Sequence, residues 1–266
     1  MKLYAGCELH FDAQADTPLV LMLRPRSGAG QWIISEEYDI TPAVPVVEYT
    51  DMYGNLCQRM VAPMGPFRVR TQACVEAPDT IDVDLGAPYT PVEELPDDVL
   101  HFLLPSRYCP ADQPDLVKHA FDVVEGAEPG YNQVEAVRRW IHRHITYQYG
   151  TSDATTSALE TLQNRIGVCR DFTHLGISLC RALSIPARMV VGYLHELKPM
   201  DLHAWFEAFV DGRWYTFDAT QAEPKGNRIT VAYGRDAADV AFTTQFGPMA
   251  LNQMSVWVTS DEPVTI

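Results

Sequence analysis

Cys169 stands where a turn meets an amphipathic helix. The helix begins within Gly-Val-Cys-Arg-Asp-Phe at 167–172, carries apolar residues at helical spacing as far as Leu183, and stops at Pro186, which has no N–H for the ladder. Unpaired N–H groups and the helix dipole favour a thiolate over a thiol in a first turn. Cys169 is therefore a candidate nucleophile. The alternative is a structural cysteine that packs as a small hydrophobe.

A second run of residues supplies a base. Two aromatic-rich segments, 203–210 and 213–220, flank Asp211-Gly212, a dipeptide typical of a two-residue type I′ hairpin turn. The register that follows pairs Val210 with Arg213, Glu207 with Thr216, Trp205 with Asp218 and His203 with Thr220. His203 and Asp218 become diagonal neighbours on one face, with Cβ atoms about 7–8 Å apart. Their side chains are then close enough to interact.

These residue types predict a nucleophile, a base and an orienting carboxylate. Cys169 would attack a carbonyl, His203 would take and return the proton, and Asp218 would fix the imidazole tautomer. His195 is the rival base, but its acidic neighbour Glu196 points to the opposite side of an extended chain.

Supporting roles are predicted for three further groups. The Cys169 N–H and neighbouring helix-start amides are natural oxyanion donors. Gln163, six residues earlier, is a candidate second donor, with an ordinary surface glutamine as the alternative. Trp205 is predicted to shield the contact between imidazole and carboxylate from water.

Several motifs together carry a family resemblance. They are Gly-Val-Cys-Arg-Asp-Phe at 167–172, Ile-Pro-Ala-Arg at 185–188, Val-Gly-Tyr at 191–193, His-Ala-Trp at 203–205 and Phe-Asp-Ala-Thr at 217–220. In this order they resemble the bacterial transglutaminase-like cysteine peptidases, and residues 1–77 resemble the β-rich region that precedes that domain. The resemblance implies a papain-like site on Cys169, His203 and Asp218. Arylamine N-acetyltransferases use the same residue types, but their Arg-Gly-Gly-x-Cys signature is absent here.

The elements that must position these residues divide the chain into three parts. Alternating apolar residues predict an N-terminal antiparallel β-sandwich at 1–80, and a Pro-rich acidic linker, extended and solvated, follows at 81–114. Helical periodicity and later strands predict helices packed on an antiparallel sheet at 115–266, and the family resemblance implies that this unit is a papain/transglutaminase-like core. The fold class is therefore α+β.

Local signals place the helix starts. Asn132 with Glu135, and Ser157 with Glu160, have the spacing of a capping box. Asp171 is predicted to cap the Cys169 helix rather than to act in catalysis.

Bulk properties exclude several classes of function. The 266 residues carry a net charge of −15, and such a surface repels phosphate backbones and anionic lipid, so no nucleic acid or membrane partner is expected. The six cysteines form no C-x-x-C pair, which argues against a disulfide framework or a zinc site. Without a recognisable leader or apolar span, the prediction is a cytoplasmic protein without metal or cofactor. Nothing in the sequence predicts an oligomeric state.

Three functions remain open. The first is a hydrolase that cleaves peptide or isopeptide bonds of a protein or peptide substrate through a thioester intermediate. The second is a transglutaminase, in which a lysine amine resolves the same intermediate. The third is a non-catalytic binding module that retains the fold.

Overall fold

The computed structural model describes residues 1–28 and 30–260. Its strands are β1 (Lys2–Ala13), β2 (Thr17–Leu21), β3 (Trp32–Thr41), β4 (Val47–Thr50), β5 (Leu56–Ala62), β6 (Gly65–Glu76), β7 (Thr146–Tyr147), β8 (Ile166–Gly167), β9 (Ala187–Leu194), β10 (His203–Val210), β11 (Arg213–Phe217), β12 (Arg228–Gly234), β13 (Thr243–Gln245) and β14 (Met249–Thr259). The α-helices are α1 (Pro114–Val123), α2 (Tyr131–His144), α3 (Ala158–Asn164) and α4 (Cys169–Ala182), and short 3₁₀ helices span Val92–Glu94 and Leu100–Leu103.

The N-terminal region is the predicted antiparallel sandwich. One sheet has the strand order β14-β1-β6-β3 and the other β13-β2-β5-β4. The apolar positions that alternate along β1, from Leu3 to Phe11, are buried, and they belong to the same hydrophobic cluster as buried residues of the second sheet such as Leu19. The period-two pattern therefore selected the inward face correctly.

The last two strands return to this sandwich. In β14, Met254 pairs with Leu9 of β1, and in β13, Thr244 pairs with Val20 of β2. The sequence-based division places both strands in the unit predicted at 115–266, whereas their hydrogen bonds lie in the sheets of the N-terminal unit. Residues 261–266, also in that predicted unit, lie outside the described residues.

The helices pack against the remaining large sheet mainly through α4. Its four antiparallel strands have the order β11-β10-β9-β12, and α4 packs on β10 and β9. Helices α1, α2 and α3 contact α4 in turn. This arrangement confirms the α+β class. Within residues 1–28 and 30–260, we find no helix whose length and apolar content would let it cross a bilayer.

The segment predicted as a solvated linker is instead partly packed. Val99 and Phe102 are each 3% exposed, and the Phe102 ring meets Trp214 edge to face at 5.3 Å. Leu95 and Val99 also cluster with Phe209 of β10. The expectation was wrong because it rested on the prolines and acidic residues of this stretch. The apolar side chains between them pack on the outside of the β10–β11 hairpin.

The capping signals were right in one helix and wrong in another. The Ser157 hydroxyl accepts from the Glu160 N–H, and the Glu160 carboxylate accepts from the Ser157 N–H, so the predicted capping box is confirmed. Helix α2 begins at Tyr131, one residue before the predicted cap. Glu135 does not cap it, because its carboxylate pairs with Arg138 at 2.7 Å one turn later.

Candidate active site

The backbone before α4 presents Cys169 as the first residue of the helix. Strand β7 runs parallel to β8, with Tyr147 opposite Gly167, and the Gln148 N–H donates to the Gly167 carbonyl at 2.9 Å. Only glycine fits at 167, since a Cβ there would lie 2.7 Å from the Asp171 Cβ. The segment before α4 is thereby held close to the first helical turn. Cys169, the first residue of that helix, is half-buried.

Asp171 caps this helix, as predicted. Its Oδ2 accepts from the Val168 N–H at 2.8 Å, and its Oδ1 accepts from the Ser152 hydroxyl at 2.8 Å. The Arg170 guanidinium donates to Oδ1 at 3.2 Å. The fully buried carboxylate therefore fixes the start of the helix, while the Cys169 N–H one residue after the cap has no acceptor within the helix.

The hairpin that carries His203 has the predicted turn and part of the predicted register. Asp211 and Gly212 have φ of 49° and 73°, the positive values that a type I′ turn requires at both central residues. Val210 pairs with Arg213 and Glu207 with Thr216, as expected.

The predicted pairs Trp205–Asp218 and His203–Thr220 do not form, because the β10–β11 ladder ends at Phe206–Phe217. At this point Asp218 turns away from the strand. Its Oδ1 accepts from the Thr220 N–H at 2.9 Å and from the Thr220 hydroxyl at 2.7 Å. The turn frees Asp218 Oδ2, which lies 2.7 Å from His203 Nε2. Side chains, rather than strand pairing, therefore bring the carboxylate and the imidazole together.

His203 bridges the carboxylate and the cysteine. Nε2 of the imidazole lies on Asp218, and the ring also interacts with the Cys169 side chain. Burial disfavours a charged imidazole, but Asp218 and Cys169 together outweigh that cost and raise the pKa of His203 to about 9. Burial also opposes ionisation of Asp218, yet His203 and Arg228 hold the pKa of that carboxyl well below its usual range. At neutral pH the site therefore contains an imidazolium and a carboxylate.

Two arginines hold the Asp218 region and were not predicted from sequence. Arg228, at the start of β12, donates through Nη2 to Asp218 Oδ2 at 2.9 Å. Arg138 of α2 donates to the Gln221 carbonyl at 2.7 Å, which anchors the loop after Asp218. Neither contact has a local sequence signal, because strand pairing across β9 brings Arg228 to the site and helix packing brings Arg138.

A close approach between α4 and β10 sets the separation of the cysteine and the histidine. A Cβ on Gly176 would lie 2.5 Å from the Phe206 ring, so the helix can approach the strand only because this residue is glycine. On the other side of His203, its partner in β9 is Gly192, where a Cβ would lie 1.9 Å from the Ile229 carbonyl oxygen of β12. The Phe206 ring of β10 therefore packs directly on the backbone of the helix that carries Cys169.

The two supporting residues named from sequence lie in different surroundings. Trp205 is 1% exposed, with its ring 6.1 Å from the His203 imidazole and 4.9 Å from the Arg228 guanidinium carbon. Gln163 is exposed and lines a surface groove with Asp115 and Lys118 of α1. The structure thus brings Trp205, but not Gln163, into the group around His203. The rival base His195 lies at the end of β9, where its backbone N–H bonds to Asn227.

The mouth of the site is formed by residues that the motifs did not identify. Tyr147 is the last residue of β7 and Tyr149 lies two residues later, and both side chains interact electrostatically with Cys169. Asp201, two residues before His203, lies 3.5 Å through Oδ2 from the Tyr149 hydroxyl. Across residues 1–28 and 30–260, no three His, Cys, Asp or Glu side chains converge in a way that could hold a metal ion.

Comparison with family models gives two matches. Residues 118–219 match the model of the transglutaminase-like superfamily, and this range includes Cys169, His203 and Asp218. Residues 10–76 match the bacterial transglutaminase-like N-terminal region.

Individual relatives extend the similarity along the chain. A crystal structure of a candidate cysteine protease from Cytophaga hutchinsonii is 35% identical, with a TM-score of 0.90, and the match covers 100% of this chain and 92% of that one. An uncharacterized protein of Mycobacterium leprae is 29% identical over 232 residues, which is 82% of each chain. An uncharacterized protein of Mycobacterium tuberculosis is 35% identical over 115 residues, or 38% of this chain and 37% of the relative.

Proposed function

The chain belongs to the transglutaminase-like superfamily, and from this membership we propose that it is a cysteine-dependent hydrolase that cleaves peptide or isopeptide bonds through a thioester on Cys169. The observation that carries the proposal is the position of His203, whose Nε2 lies 2.7 Å from Asp218 Oδ2 and whose imidazole interacts with the Cys169 side chain. A nucleophile, its base and an orienting group are arranged in this way in cysteine hydrolases.

In the acylation step, the Cys169 thiolate attacks the amide carbonyl carbon and forms a C–S bond. The carbonyl oxygen becomes an oxyanion, which the Cys169 N–H and its neighbours at the start of α4 can stabilise. The His203 imidazolium then donates its proton to the leaving nitrogen, the C–N bond breaks, and the amine departs.

In the deacylation step, water attacks the thioester carbonyl. The now neutral His203 accepts a proton from that water, the C–S bond breaks, and the carboxylic acid leaves. The proton on His203 restores the imidazolium beside the thiolate. Asp218 remains ionised throughout, and its role is to hold the imidazole and stabilise its charged form.

The first test is the alkylation of Cys169 by iodoacetamide, followed by peptide mass spectrometry because five other cysteines are present. We expect rapid labelling at pH 6 in the wild-type protein and a rate at least about tenfold lower in His203→Ala, since an ordinary thiol is almost fully protonated at that pH. Labelling that begins only above about pH 8 and does not depend on His203 would contradict the proposal and favour a binding module.

A second test follows the fate of the acyl group. With p-nitrophenyl acetate as acyl donor, intact-mass analysis should detect an acetyl group on Cys169 that disappears as acetate forms. Cys169→Ala should form no such adduct and should show no turnover. If an added primary amine takes most of the acetyl group as an amide, the reaction is amine transfer and the assignment as a hydrolase is wrong.

We also propose a cytoplasmic location. All six cysteines are free thiols in the structure, and proteins of a reducing compartment keep their cysteines in this state. Measuring the thiol content of the protein extracted under acid quench tests this, since a native disulfide would contradict it.

A further inference from the structure

Two tyrosine rings stand beside the proposed nucleophile without being buried. The pairing of β7 with β8 fixes Tyr147 opposite Gly167, two residues before Cys169, and Tyr149 follows in the same segment. Their side chains are 40% and 51% exposed, and their centroids lie 5.4 Å apart with the planes at 76°. Rings that are exposed at a reactive group, rather than packed into the core, offer their faces to a ligand.

The carboxylate of Asp201, two residues before His203, lies beside these two rings. Asp201 is half-buried, its Oδ1 accepts from the Leu202 N–H at 2.8 Å, and its Oδ2 lies 3.5 Å from the Tyr149 hydroxyl. The contact is long for a hydrogen bond between oxygens, so Oδ2 keeps capacity for a stronger donor. Tyr149 and Asp201 therefore meet beside the elements that carry Cys169 and His203.

Asp201 differs from other partly buried carboxylates in the charge that surrounds it. Glu135, Glu207 and Asp239 each pair with an arginine, at 2.7, 2.6 and 2.9 Å. Among the described residues, Asp201 has no lysine or arginine within ion-pair distance, and its electrostatic neighbour is His203. Burial raises the pKa of Asp201, which means that a bound cation would recover part of the cost of its ionisation.

The arginine next to Cys169 does not neutralise the charge of Asp201. Arg170, next to Cys169, donates to Ser152 at 2.5 Å and to Asp171 at 3.2 Å, so its guanidinium is engaged on the side of the helix cap. The whole chain carries a net charge of −15, which adds a weak long-range attraction for cations. Aromatic faces together with a carboxylate are the groups that recognise an alkylammonium ion.

We propose that Tyr147, Tyr149 and Asp201 form a subsite for an alkylammonium group, so that the preferred substrate places a lysine-like side chain or an amine next to the carbonyl that Cys169 attacks. The inference rests on the proposed function, because it names the chemical class that the same site would accept. The ammonium would lie against the tyrosine faces and donate to Asp201 Oδ2.

The test measures protection of Cys169 from iodoacetamide at equilibrium, which requires no turnover. N-acetyl-lysine amide is compared with N-acetyl-norleucine amide, which has a similar length and no charge. We expect the lysine derivative to protect the wild-type protein at a concentration at least about fivefold lower than the norleucine derivative needs. Equal protection by the two compounds, or none by either, would overturn the proposal.

Three variants test which residues cause the preference for the lysine derivative. Asp201→Asn should reduce protection by the lysine derivative to the level of the norleucine derivative. Glu196→Gln is the matched control, because it removes one negative charge from the same β9–β10 loop at an exposed position, and it should retain the preference for lysine. Tyr149→Leu should weaken protection about two- to fivefold, the range of an exposed cation–π contact. A preference for lysine that persists in Asp201→Asn, or disappears in Glu196→Gln, would assign the effect to general charge and contradict the subsite.

A further comparison distinguishes a lysine residue of the substrate from a free amine as the source of the ammonium group. Protection by N-acetyl-lysine amide but not by cadaverine indicates a lysine residue of the substrate, whereas similar protection by both indicates that free amines also bind. The experiment can be run at pH 8.5, where even an ordinary thiol is alkylated. Failure of the proposed function, seen as labelling that does not depend on His203, is therefore distinct from failure of the subsite, seen as equal protection by the charged and neutral compounds.

Discussion

Asp218 receives hydrogen bonds from three separate groups, namely His203, Arg228 and Thr220. An acceptor-only carboxylate satisfies all of them, whereas an amide can accept at one atom only. In Asp218→Asn, the imidazole loses the negative charge that most strongly favours its protonated form, and the amide NH₂ faces donors. We expect turnover of p-nitrophenyl acetate to fall by about 10²- to 10⁴-fold.

The matched control is Asp236→Asn, another buried carboxylate that accepts backbone hydrogen bonds, from Tyr108 at 2.8 Å and Ala238 at 2.9 Å. It should lower the melting temperature while leaving turnover of the folded fraction within about twofold. If Asp218→Asn keeps more than a third of the wild-type turnover, the carboxylate does not orient the base.

The raised pKa of His203 also predicts a pH dependence of stability. The folded protein holds this proton up to about pH 9, whereas an unfolded histidine releases it near pH 6.5. The stabilising contribution is therefore complete below about pH 6.5 and is lost as the pH rises towards 9, with a slope of at most about 1.4 kcal/mol per pH unit. In Cys169→Ala, where no thiol proton offsets the effect, urea unfolding between pH 6 and 9.5 should show this decline, and Cys169→Ala/His203→Gln should give a flatter curve. Parallel curves would mean that His203 has an ordinary pKa in the folded state.

At the scale of elements, the sequence identified what is encoded locally. The β10–β11 register between Val210–Arg213 and Glu207–Thr216 follows from a two-residue turn and a period of two, and the α3 cap follows from Ser157 and Glu160, so both could be predicted, whereas the predicted pairs beyond Phe206 were wrong. Arg228 could not, because it reaches Asp218 only when β12 pairs with β9 on the far side of β10. The packing of Phe102 was missed for a related reason, since its partner Trp214 lies in a distant hairpin and the prolines around it favour exposure.

The contact between α4 and β10 offers a test of how elements set the geometry of the site. Gly176→Ala would place a methyl group 2.5 Å from the Phe206 ring, so the helix must move away from the strand. We expect a loss of about 1–3 kcal/mol in unfolding free energy, the usual cost of overpacking. Because the displacement also separates Cys169 from His203, labelling at pH 6 should slow.

The same substitution at Gly86 serves as the control. There an added Cβ would meet its nearest atom, Asp84 Oδ1, at 3.4 Å, which is an ordinary contact. Gly86→Ala should leave both stability and labelling unchanged. Rapid, His203-dependent labelling that survives in Gly176→Ala would show that the site tolerates movement of the helix.

At the scale of the whole molecule, two side-chain amides attach the sandwich to the strand that carries Arg228. Gln31 donates to the Thr230 carbonyl and accepts from the Thr230 N–H, both at 2.8 Å. Asn55, which is fully buried, does the same with Tyr233 at 2.9 and 3.0 Å. In this way each amide makes the two hydrogen bonds that a neighbouring strand would otherwise make to the β12 backbone. The sandwich therefore contacts the β11-β10-β9-β12 sheet through β12.

This arrangement predicts that the sandwich and the β11-β10-β9-β12 sheet unfold together. In Gln31→Ala/Asn55→Ala, Thr230 and Tyr233 lose partners for both backbone groups, and each buried polar group left unsatisfied costs about 1–3 kcal/mol. We expect the single urea transition of the wild-type protein to separate into two, with near-UV circular dichroism and Cys169 labelling reporting the less stable sheet. Asn252→Ala, at an exposed position on β14, should leave one transition. A double variant that still unfolds in a single step, less than about 1 kcal/mol below the wild type, would show that the paired outer strands, rather than these amides, couple the two regions.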